Sequence, residues 1–288
     1  MLTHIRNFIN VTRLNKPIGL LLLFWPCSWG LALALYFNRD FNNFFYFLIL
    51  FFLGSVLMRS AGCIVNDIID EKIDKNVFRT KNRPIASGKL NKPLAWFYVF
   101  VLCSLAFLVL IQFNFLTICL GMFSMIFAFS YPFMKRLTYW PQLFLGFTFN
   151  WGIIMAWTAM MNEISYLPIL LYAGAIFWTL GYATIYGVQD ITDDEIMGVK
   201  STSIKFKNYL NLFVGSCYLI SSIILILIMV NLKINFSILV FVLFIVTLFY
   251  QMKIFKTKSP ADCYRAFKLN NISGLLVFIG FFLINFSI

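Results

Sequence analysis

The sequence predicts an all-α polytopic membrane protein, and three observations lead to this fold class. Of the 288 residues, 61% are hydrophobic and only 12% are charged, whereas soluble domains carry about 25% charged residues. Apolar runs near the roughly 20 residues that a membrane-spanning helix needs recur along the whole chain. The polar–apolar alternation of membrane β-strands is absent, and helices satisfy their own backbone groups within lipid.

Nine spans are predicted, and no linker or low-complexity segment divides them into separate units. The predicted spans are residues 18–37, 43–65, 93–111, 115–133, 139–161, 166–187, 209–230, 234–252 and 266–286. We therefore expect residues 1–288 to form a single transmembrane domain.

The distribution of basic residues predicts which ends of the spans are cytoplasmic. With a cytoplasmic N-terminus, 20 of the 23 Lys and Arg residues lie in cytoplasmic segments or at the inner edge of the last span. This bias is what the positive-inside rule describes. The net charge of +12 therefore reflects topology and requires no nucleic-acid partner, although basic loops favour anionic lipid and anionic substrates. Arg59 lies inside the second span, near its inner end.

Cysteine and histidine indicate neither a metal site nor a disulfide framework. The six cysteines are scattered, mostly through apolar runs, and form no C-x-x-C pair, and the single histidine, His4, lies in the polar N-terminal segment. Cysteines in this arrangement are typical of small core residues.

The acidic residues are concentrated in two segments, each at the cytoplasmic end of an even-numbered span. Eight of the eleven acids lie in NDIIDEKIDKN, residues 66–76, and QDITDDE, residues 189–195. Each segment begins a long basic loop, and Asp70 and Asp190 are 120 residues apart. This pattern predicts a weak internal repeat, with halves of about 1–138 and 139–288 that face one cavity.

The spacing within both segments indicates a site for a divalent cation. Residues four apart share a helix face, so Asn66, Asp70 and Asp74 align, as do Asp190 and Asp194. Stacked like charges destabilise a helix unless something positive offsets them. Oxygen ligands without His or Cys suit Mg²⁺, which proteins usually hold with one or two carboxylates together with substrate phosphates. A diphosphate bridged through Mg²⁺ would satisfy both segments.

Basic residues near the acidic segments fit an anion of this kind. Arg binds phosphate through a bidentate fork, and Lys acts as a point charge. The candidate diphosphate contacts are Lys75, Arg79, Arg83, Lys135, Arg136 and Lys200. Lys89, Lys205, Lys207 and the basic residues of 253–268 are interpreted as solvated, topogenic charges, which is the usual role of a charged loop at a membrane surface.

Several stretches resemble the UbiA family of intramembrane prenyltransferases. NDIIDEKIDKNVFRTKNRPIASG, from Asn66, is similar to that family's N-D-x-x-D-x-x-x-D motif with its downstream R-x-x-x-R-P. YGVQDITDDEIMGVKST, from Tyr186, is similar to its second Asp motif. Four further stretches resemble the ubiquinone-pathway branch of the family: RLNKPIGLLLLFWPCSWGL, LMRSAGCIVND, YPFMKRLTYWPQLFLGFTFNWG and YRAFKLNN. Together these stretches cover nearly the whole chain.

The resemblance implies a fold and an activity. It implies nine helices around a central cavity that opens to lipid, with a cap of cytoplasmic loops, in the inner membrane of a bacterium. It further implies Mg²⁺-dependent transfer of a polyprenyl group from polyprenyl diphosphate to the ring of 4-hydroxybenzoate, as a step of ubiquinone biosynthesis.

The resemblance also implies roles for individual residues. Four carboxylates would hold Mg²⁺ and so neutralise the leaving diphosphate: Asp70, Asp74, Asp190 and Asp194. Further candidate metal ligands are Asn66, Asp67 and Asp193. Arg13, just before the first span, is the candidate contact of the benzoate carboxylate.

One position departs from the family pattern. The family usually has Asp in a Y-D-T segment before the second motif, whereas this chain reads GYATIYG, with Ala183 seven residues before Asp190. Seven residues are about two helical turns, so a helix places both on a similar face. We expect the missing carboxylate to weaken catalysis without unfolding the protein.

Three other functions compete with this interpretation. A cation transporter or channel would place its acids near the bilayer midplane, whereas these lie at span ends beside basic loops. A CDP-alcohol phosphotransferase would carry D-G-x-x-A-R before its D-x-x-x-D, a motif that this chain lacks. Another branch of the same family, of the haem O, menaquinone or chlorophyll type, stays open because a few cavity residues decide the acceptor.

Overall fold

The computed structural model describes residues 2–232, 237–257 and 259–286, which form fourteen α-helices and contain no strand. The helices are α1 Leu2–Thr12, α2 Ile18–Asn38, α3 Phe41–Ile69, α4 Glu71–Asp74, α5 Lys92–Leu110, α6 Phe115–Leu137, α7 Pro141–Asn150, α8 Gly152–Met161, α9 Tyr166–Gly187, α10 Ile191–Ile196, α11 Thr202–Lys205, α12 Leu210–Asn231, α13 Ile238–Ile254 and α14 Pro260–Leu283. Residues 234–236 of the predicted eighth span, together with Lys233 and Lys258, lie outside the described residues.

Long apolar helices confirm the all-α membrane fold. By length and composition, eight helical spans within the described ranges can cross a membrane, and α13 is a shorter apolar helix of 17 residues. Together they correspond to the nine predicted spans. The fifth predicted span consists of two helices, α7 and α8, which meet at Trp151.

The second and ninth predicted spans extend further than their hydropathy indicates. Helix α3 continues to Ile69, so Asn66 and Asp67 lie in its last turn. Helix α14 begins at Pro260, where the Oγ of Ser259 accepts a hydrogen bond from the backbone N–H of Asp262. A cap of this kind pairs one of the backbone N–H groups that have no partner within the first turn, and so stabilises the start of the helix.

Two helices form the centre of the molecule. The most buried of the described spans are α2 and α9. Helix α2 packs against α3, α8 and α14, and α9 packs against α7, α12 and α14. Trp29 of α2 and Trp178 of α9 meet with ring centroids 5.0 Å apart, and both rings are fully buried. Both indoles are also hydrogen-bonded to α14, through Gly274 and Asn270.

Glycines bring α2 and α8 into close contact. A Cβ added at Gly30 would overlap the carbonyl oxygen of Ile153, and one added at Gly152 would overlap the Sγ of Cys27. Side chains at these positions would push the two helices apart, so the small residues set the distance between α2 and α8.

The N-terminal helix is attached to a separate apolar cluster. Val11 is fully buried among residues of α3 and α5, and Phe8 meets Tyr98 edge-on with centroids 5.1 Å apart. This packing places the end of α1, and Arg13 directly after it, beside the last turns of α3.

Candidate active site

One cavity of about 960 Å³ is lined by residues of both acidic segments. Its wall also includes the segment after α1, the loop after α4, and parts of α2, α6, α7 and α9. The residues predicted from sequence that line it are Arg13, Asn66, Asp70, Asp74, Arg79, Arg83, Lys135, Asp190, Asp194 and Lys200. Four predicted residues do not line it: Asp67, Lys75, Arg136 and Asp193.

The first acidic segment keeps its one-turn spacing although the helix is interrupted. Helix α3 ends at Ile69 and α4 begins at Glu71, with Asp70 between them at φ −91° and ψ 4°. The N–H of Asp70 still donates to Asn66 O at 2.9 Å, and the N–H of Asp74 donates to Asp70 O at 2.8 Å. The three polar side chains therefore remain on one side, toward the cavity.

Asp70 is almost fully buried, and two basic residues in the last turn of α6 neutralise its charge. Its carboxylate accepts a hydrogen bond from Lys135 Nζ, and Arg136 Nη2 lies 3.5 Å from its other oxygen. Burial raises the pKa of the Asp70 carboxyl, and the charge and hydrogen bond of Lys135 oppose that rise. Arg136 also donates to the carbonyl of Ile69 at 2.9 Å, which explains why its guanidinium stays outside the cavity.

Asp74 and Asp67 share one guanidinium. Arg83 Nη1 lies 2.7 Å from Asp74 Oδ2 and 3.0 Å from Asp67 Oδ1. Arg13 Nη2 lies 2.6 Å from the same oxygen of Asp67. Asp67 does not line the cavity, and its carboxylate faces two arginines in the protein interior; its assignment as a metal ligand stays a prediction. The cause is helix geometry: Asp67 lies about 100° around α3 from Asn66.

The second acidic segment is connected to the loop after the first. Arg79 forms a two-point ion pair with Asp190, through Nε at 2.8 Å and Nη2 at 2.6 Å. Its Nη1 also donates to the hydroxyl of Tyr186 at 3.0 Å, and its guanidinium carbon lies 5.5 Å from that ring's centroid. Asp190 ends a short 3₁₀ turn and α10 follows it directly.

Asp194 has a different environment from the other three carboxylates. It lines the cavity from α10, and within the described part of the chain no Lys or Arg lies at ion-pair distance from it. Asp193, its neighbour in sequence, is turned away from the cavity. Lys200 joins the wall because its backbone N–H donates to Lys135 O at 2.8 Å.

Lys75 forms a surface ion pair. Its Nζ lies 2.7 Å from Glu71 Oε1, and Lys92 contacts the other oxygen of the same carboxylate. The hydrogen bonds from these two lysines lower the pKa of Glu71 to about 2. Lys75 therefore pairs with Glu71, one helical turn away, and its side chain lies at the solvent-exposed surface.

The donor chemistry of the cavity fits Mg²⁺ if the basic partners move. Its candidate ligands are carboxylate and amide oxygens, which suit this ion. Asp70, Asp74 and Asp190 are each paired with a basic side chain, and no group of three or more acidic, His or Cys residues is gathered for a metal in the described ranges. A cation that binds these carboxylates therefore competes with their basic partners. A phosphate group would accept the released lysine and arginines.

Arg59 is a cavity residue that the motif analysis missed. It lies in α3, seven residues before Asn66, and its guanidinium carbon is 5.3 Å from the centroid of Phe149. Among the described residues no carboxylate lies at ion-pair distance from it. A Cβ at Gly19 would come within 2.8 Å of the guanidinium, so glycine provides its space. The signal was an arginine within an apolar span, which is rare without a function.

Ala183 lines the same cavity from α9 and is 7% exposed. Asp190, two turns further along the chain, lines it as well. Tyr182 and Tyr186 flank Ala183 within the wall. A carboxylate at position 183 would therefore face the cavity.

Comparison with known proteins places the chain in a family. It matches the UbiA prenyltransferase family over residues 23–272. It is 39% identical over 282 residues to a 4-hydroxybenzoate octaprenyltransferase of Vibrio atlanticus, covering 98% of each chain. A protein of the same name from Aliivibrio fischeri is 41% identical over 280 residues, which are 94% of each chain.

Solved structures show the same fold. A UbiA homolog from Aeropyrum pernix K1 superposes with a TM-score of 0.77 at 20% identity, over 91% of this chain and 97% of that one. A UbiA homolog from Archaeoglobus fulgidus, bound to GPP and Mg²⁺, gives a TM-score of 0.75 at 15% identity, over 98% and 100% of the two chains. The motif match, the full-length relatives and the shared fold agree, and this chain belongs to the UbiA prenyltransferase family.

Proposed function

We propose that this protein transfers a polyprenyl group from polyprenyl diphosphate to the ring of 4-hydroxybenzoate, in a Mg²⁺-dependent step of ubiquinone biosynthesis. One observation carries the proposal: both acidic segments and the basic residues that pair with them line a single cavity. The names of full-length relatives at 39–41% identity support this donor and acceptor.

The cavity wall provides separate ligands for metal and phosphate. Mg²⁺ would be held by oxygens of Asn66, Asp70, Asp74, Asp190 and Asp194, and would supply charge neutralisation at the leaving diphosphate. The structures of an A. fulgidus homolog with prenyl diphosphates and Mg²⁺ support this ion. Arg79, Arg83, Lys135 and Lys200 are the phosphate contacts that we assign.

Substrate binding exchanges the ion pairs of the cavity. Lys135 leaves Asp70, and Arg79 leaves Asp190, as each basic group turns to a phosphate oxygen. Charge-assisted bonds to phosphate replace charge-assisted bonds to carboxylate, so the cost of opening one pair is offset by forming the next. Metal and diphosphate therefore bind together more favourably than either does alone.

The reaction begins once the diphosphate leaving group is bound. The bond between the first prenyl carbon and the diphosphate oxygen breaks, its electron pair stays on oxygen, and an allylic cation remains. The phenol ring attacks that cation at the carbon beside the hydroxyl, and the ring proton passes to the released diphosphate, which restores aromaticity. Aromatic and apolar side chains of the wall, among them Tyr131, Leu145 and Phe149, exclude water from the cation.

The acceptor carboxylate is assigned to Arg59. Arg13, the candidate from sequence, already pairs with Asp67, whereas Arg59 has no acidic partner in the described ranges. Arg59 lies about 10 Å along α3 from Asn66. An acceptor held by its carboxylate at Arg59 can therefore direct its hydroxyl-bearing end toward the diphosphate end of the prenyl chain.

The proposal extends to topology. The two acidic segments end α3 and α9, long helices that fall in the halves 1–138 and 139–288, and these halves would be pseudo-repeats. The basic loops around the cavity would place the site at the cytoplasmic face of the inner membrane.

An acceptor-competition assay tests the function. Membranes containing the protein are incubated with octaprenyl diphosphate, Mg²⁺ and labelled 4-hydroxybenzoate, and again with a labelled dihydroxynaphthoate or haem acceptor. We expect prenylated 4-hydroxybenzoate, its formation abolished by EDTA. Prenylation of another acceptor in its place would reject the assigned substrate, and product without any divalent cation would reject the assigned metal.

A further inference from the structure

We propose that Asp67 is a positioning residue, which fixes Arg13 and Arg83 at the cavity wall and thereby sets the affinity for the diphosphate group without binding the metal. The inference rests on the proposed function, because it assigns a role toward that function's donor substrate. It gives different roles to two acids of one motif, Asp67 and Asp70, which are three residues apart.

The carboxylate of Asp67 is an interior charge with two counter-ions. The residue is 1% exposed and does not line the cavity. Its Oδ1 accepts from Arg13 at 2.6 Å and from Arg83 at 3.0 Å, and its buried Oδ2 has no hydrogen-bond partner among the described residues. A buried carboxylate persists as an ion only when it is paired, so the two guanidiniums and Asp67 hold one another in place.

The pair with Arg13 attaches the N-terminal segment to α3. Arg13 directly follows α1 and has a φ of 58°, in the left-handed region that a side chain such as arginine rarely adopts. Its side chain reaches Asp67, 54 residues away in sequence. Residues 13–17 all line the cavity and connect α1 to α2, so this ion pair fixes the first residue of that stretch of cavity wall against α3.

The pair with Arg83 matters when the cavity binds its ligand. Arg83 Nη1 contacts Asp74 as well as Asp67. If Asp74 turns to a metal ion, Arg83 loses that partner but keeps Asp67. Its guanidinium then remains at the wall beside the metal-bound phosphate, where it supplies a positive charge in a fixed position.

The charge balance agrees with this role. Asp67 and Asp74 together neutralise Arg13 and Arg83. Once a metal takes Asp74, one negative charge faces two positive charges, and the excess lies at the cavity wall. With Asp74 bound to the metal, removal of Asp67 would leave both arginines unfixed; they could still attract an anion but would lose the geometry that makes charge-assisted bonds strong.

The test compares Asp67→Asn with Asp74→Asn and with Glu195→Gln in the full chain purified in detergent. Glu195 is an exposed acid that pairs with Lys207 outside the cavity. The measurements are KM for octaprenyl diphosphate, the Mg²⁺ concentration for half-maximal rate, calorimetric binding of inorganic pyrophosphate at saturating Mg²⁺, and hydrogen exchange of residues 4–17.

For Asp67→Asn we expect KM for octaprenyl diphosphate and Kd for pyrophosphate to rise about tenfold, because one well-placed ionic contact is lost. The half-maximal Mg²⁺ concentration should stay within about twofold, and exchange of residues 4–17 should accelerate. Asp74→Asn should instead raise the Mg²⁺ requirement, and Glu195→Gln should change nothing.

Two results would overturn the inference. One is an Asp67→Asn protein whose Mg²⁺ requirement rises as much as that of Asp74→Asn, since Asp67 would then be a ligand. The other is unchanged pyrophosphate binding in Asp67→Asn. If Asp67→Asn fails to fold, Arg13→Gln replaces it in the test, since this variant leaves Asp67 paired with Arg83. Unchanged pyrophosphate binding by Arg13→Gln would then reject the positioning role.

The same data distinguish this inference from the proposed function. An unmutated chain that binds Mg²⁺ and pyrophosphate but prenylates no 4-hydroxybenzoate would refute the assigned acceptor. The comparison of pyrophosphate binding between the unmutated chain and Asp67→Asn would still decide the role of Asp67. An unmutated chain that binds no pyrophosphate would overturn both.

Discussion

Arg79 and Asp190 form a two-point ion pair that joins segments 111 residues apart, with Nε 2.8 Å from Oδ1 and Nη2 2.6 Å from Oδ2. The pair connects the loop after the first acidic segment to the start of the second. While the pair is closed, a metal ion or a phosphate has to compete with it for these two side chains. In our proposal Arg79 binds phosphate and Asp190 binds metal, so the opening of this pair would make the two binding steps parts of one event.

Replacing Arg79 with lysine tests the importance of its planar fork. Lysine keeps the charge but cannot form two parallel bonds to a phosphate or carboxylate. We expect KM for octaprenyl diphosphate to rise about tenfold, with KM for 4-hydroxybenzoate unchanged, in steady-state assays. Lys81→Ala is the matched control, because Lys81 belongs to the same loop but is exposed and stacks on Phe78. An Arg79→Lys enzyme with normal donor KM would contradict the assignment.

Calorimetry tests the exchange of ion pairs. Mg²⁺ alone has to open carboxylate pairs, and pyrophosphate alone has to open the same pairs from the basic side. We therefore expect each to tighten the binding of the other by at least about tenfold, within the usual range of coupling between two sites. The measurement titrates pyrophosphate with and without Mg²⁺, and Mg²⁺ with and without pyrophosphate. Independent binding of the two, after correction for the complex that they form in solution, would refute the exchange.

Arg59→Gln separates acceptor binding from donor binding. Loss of a charge-assisted bond to the benzoate carboxylate should raise KM for 4-hydroxybenzoate by about 10- to 100-fold. The KM for octaprenyl diphosphate should stay within about twofold, because Arg59 lies about 10 Å from Asn66 along α3. Both constants come from one set of assays, and Arg59→Lys should recover part of the loss. A change in the donor constant alone would place Arg59 at the phosphates instead.

Ala183→Asp introduces the carboxylate that the resemblance to the family implies at this position. The side chain at this position faces the cavity and is nearly buried, so the new carboxylate would lie near the metal ligands. We expect higher turnover than the unmutated chain at limiting Mg²⁺, with an unchanged melting temperature. Equal turnover of the two proteins at limiting Mg²⁺ would reject the idea that Ala183 weakens catalysis.

The fold was largely predictable because bilayer thickness fixes the length of its elements. Hydropathy located the nine spans, and the basic residues gave a consistent topology. Hydropathy did not reveal that the fifth span is divided at Trp151, since the helices on both sides of that residue are apolar. Nor did it place the end of α3 beyond Asn66, because hydrogen bonding continues into polar residues that hydropathy assigns to a loop.

The site was predictable as a set of residues but not as a set of contacts. Spacing of four identified Asn66, Asp70 and Asp74, and this spacing is retained across the break at Asp70. Spacing could also have separated Asp67, about 100° around the helix, from its neighbours. The partners of Asp67 could not have been found, because Arg13 reaches it through tertiary packing of α1.

We propose above that the two acidic segments act on one substrate, and the rate of prenyl transfer by single-segment variants tests this most directly. The measurement compares the unmutated chain with Asp70→Asn, Asp190→Asn and the control Glu195→Gln, using labelled 4-hydroxybenzoate, octaprenyl diphosphate and saturating Mg²⁺. We predict a loss of at least about 100-fold in each Asp variant and none in the control. An Asp190→Asn enzyme that retains full activity would contradict the account, since the first segment would then suffice.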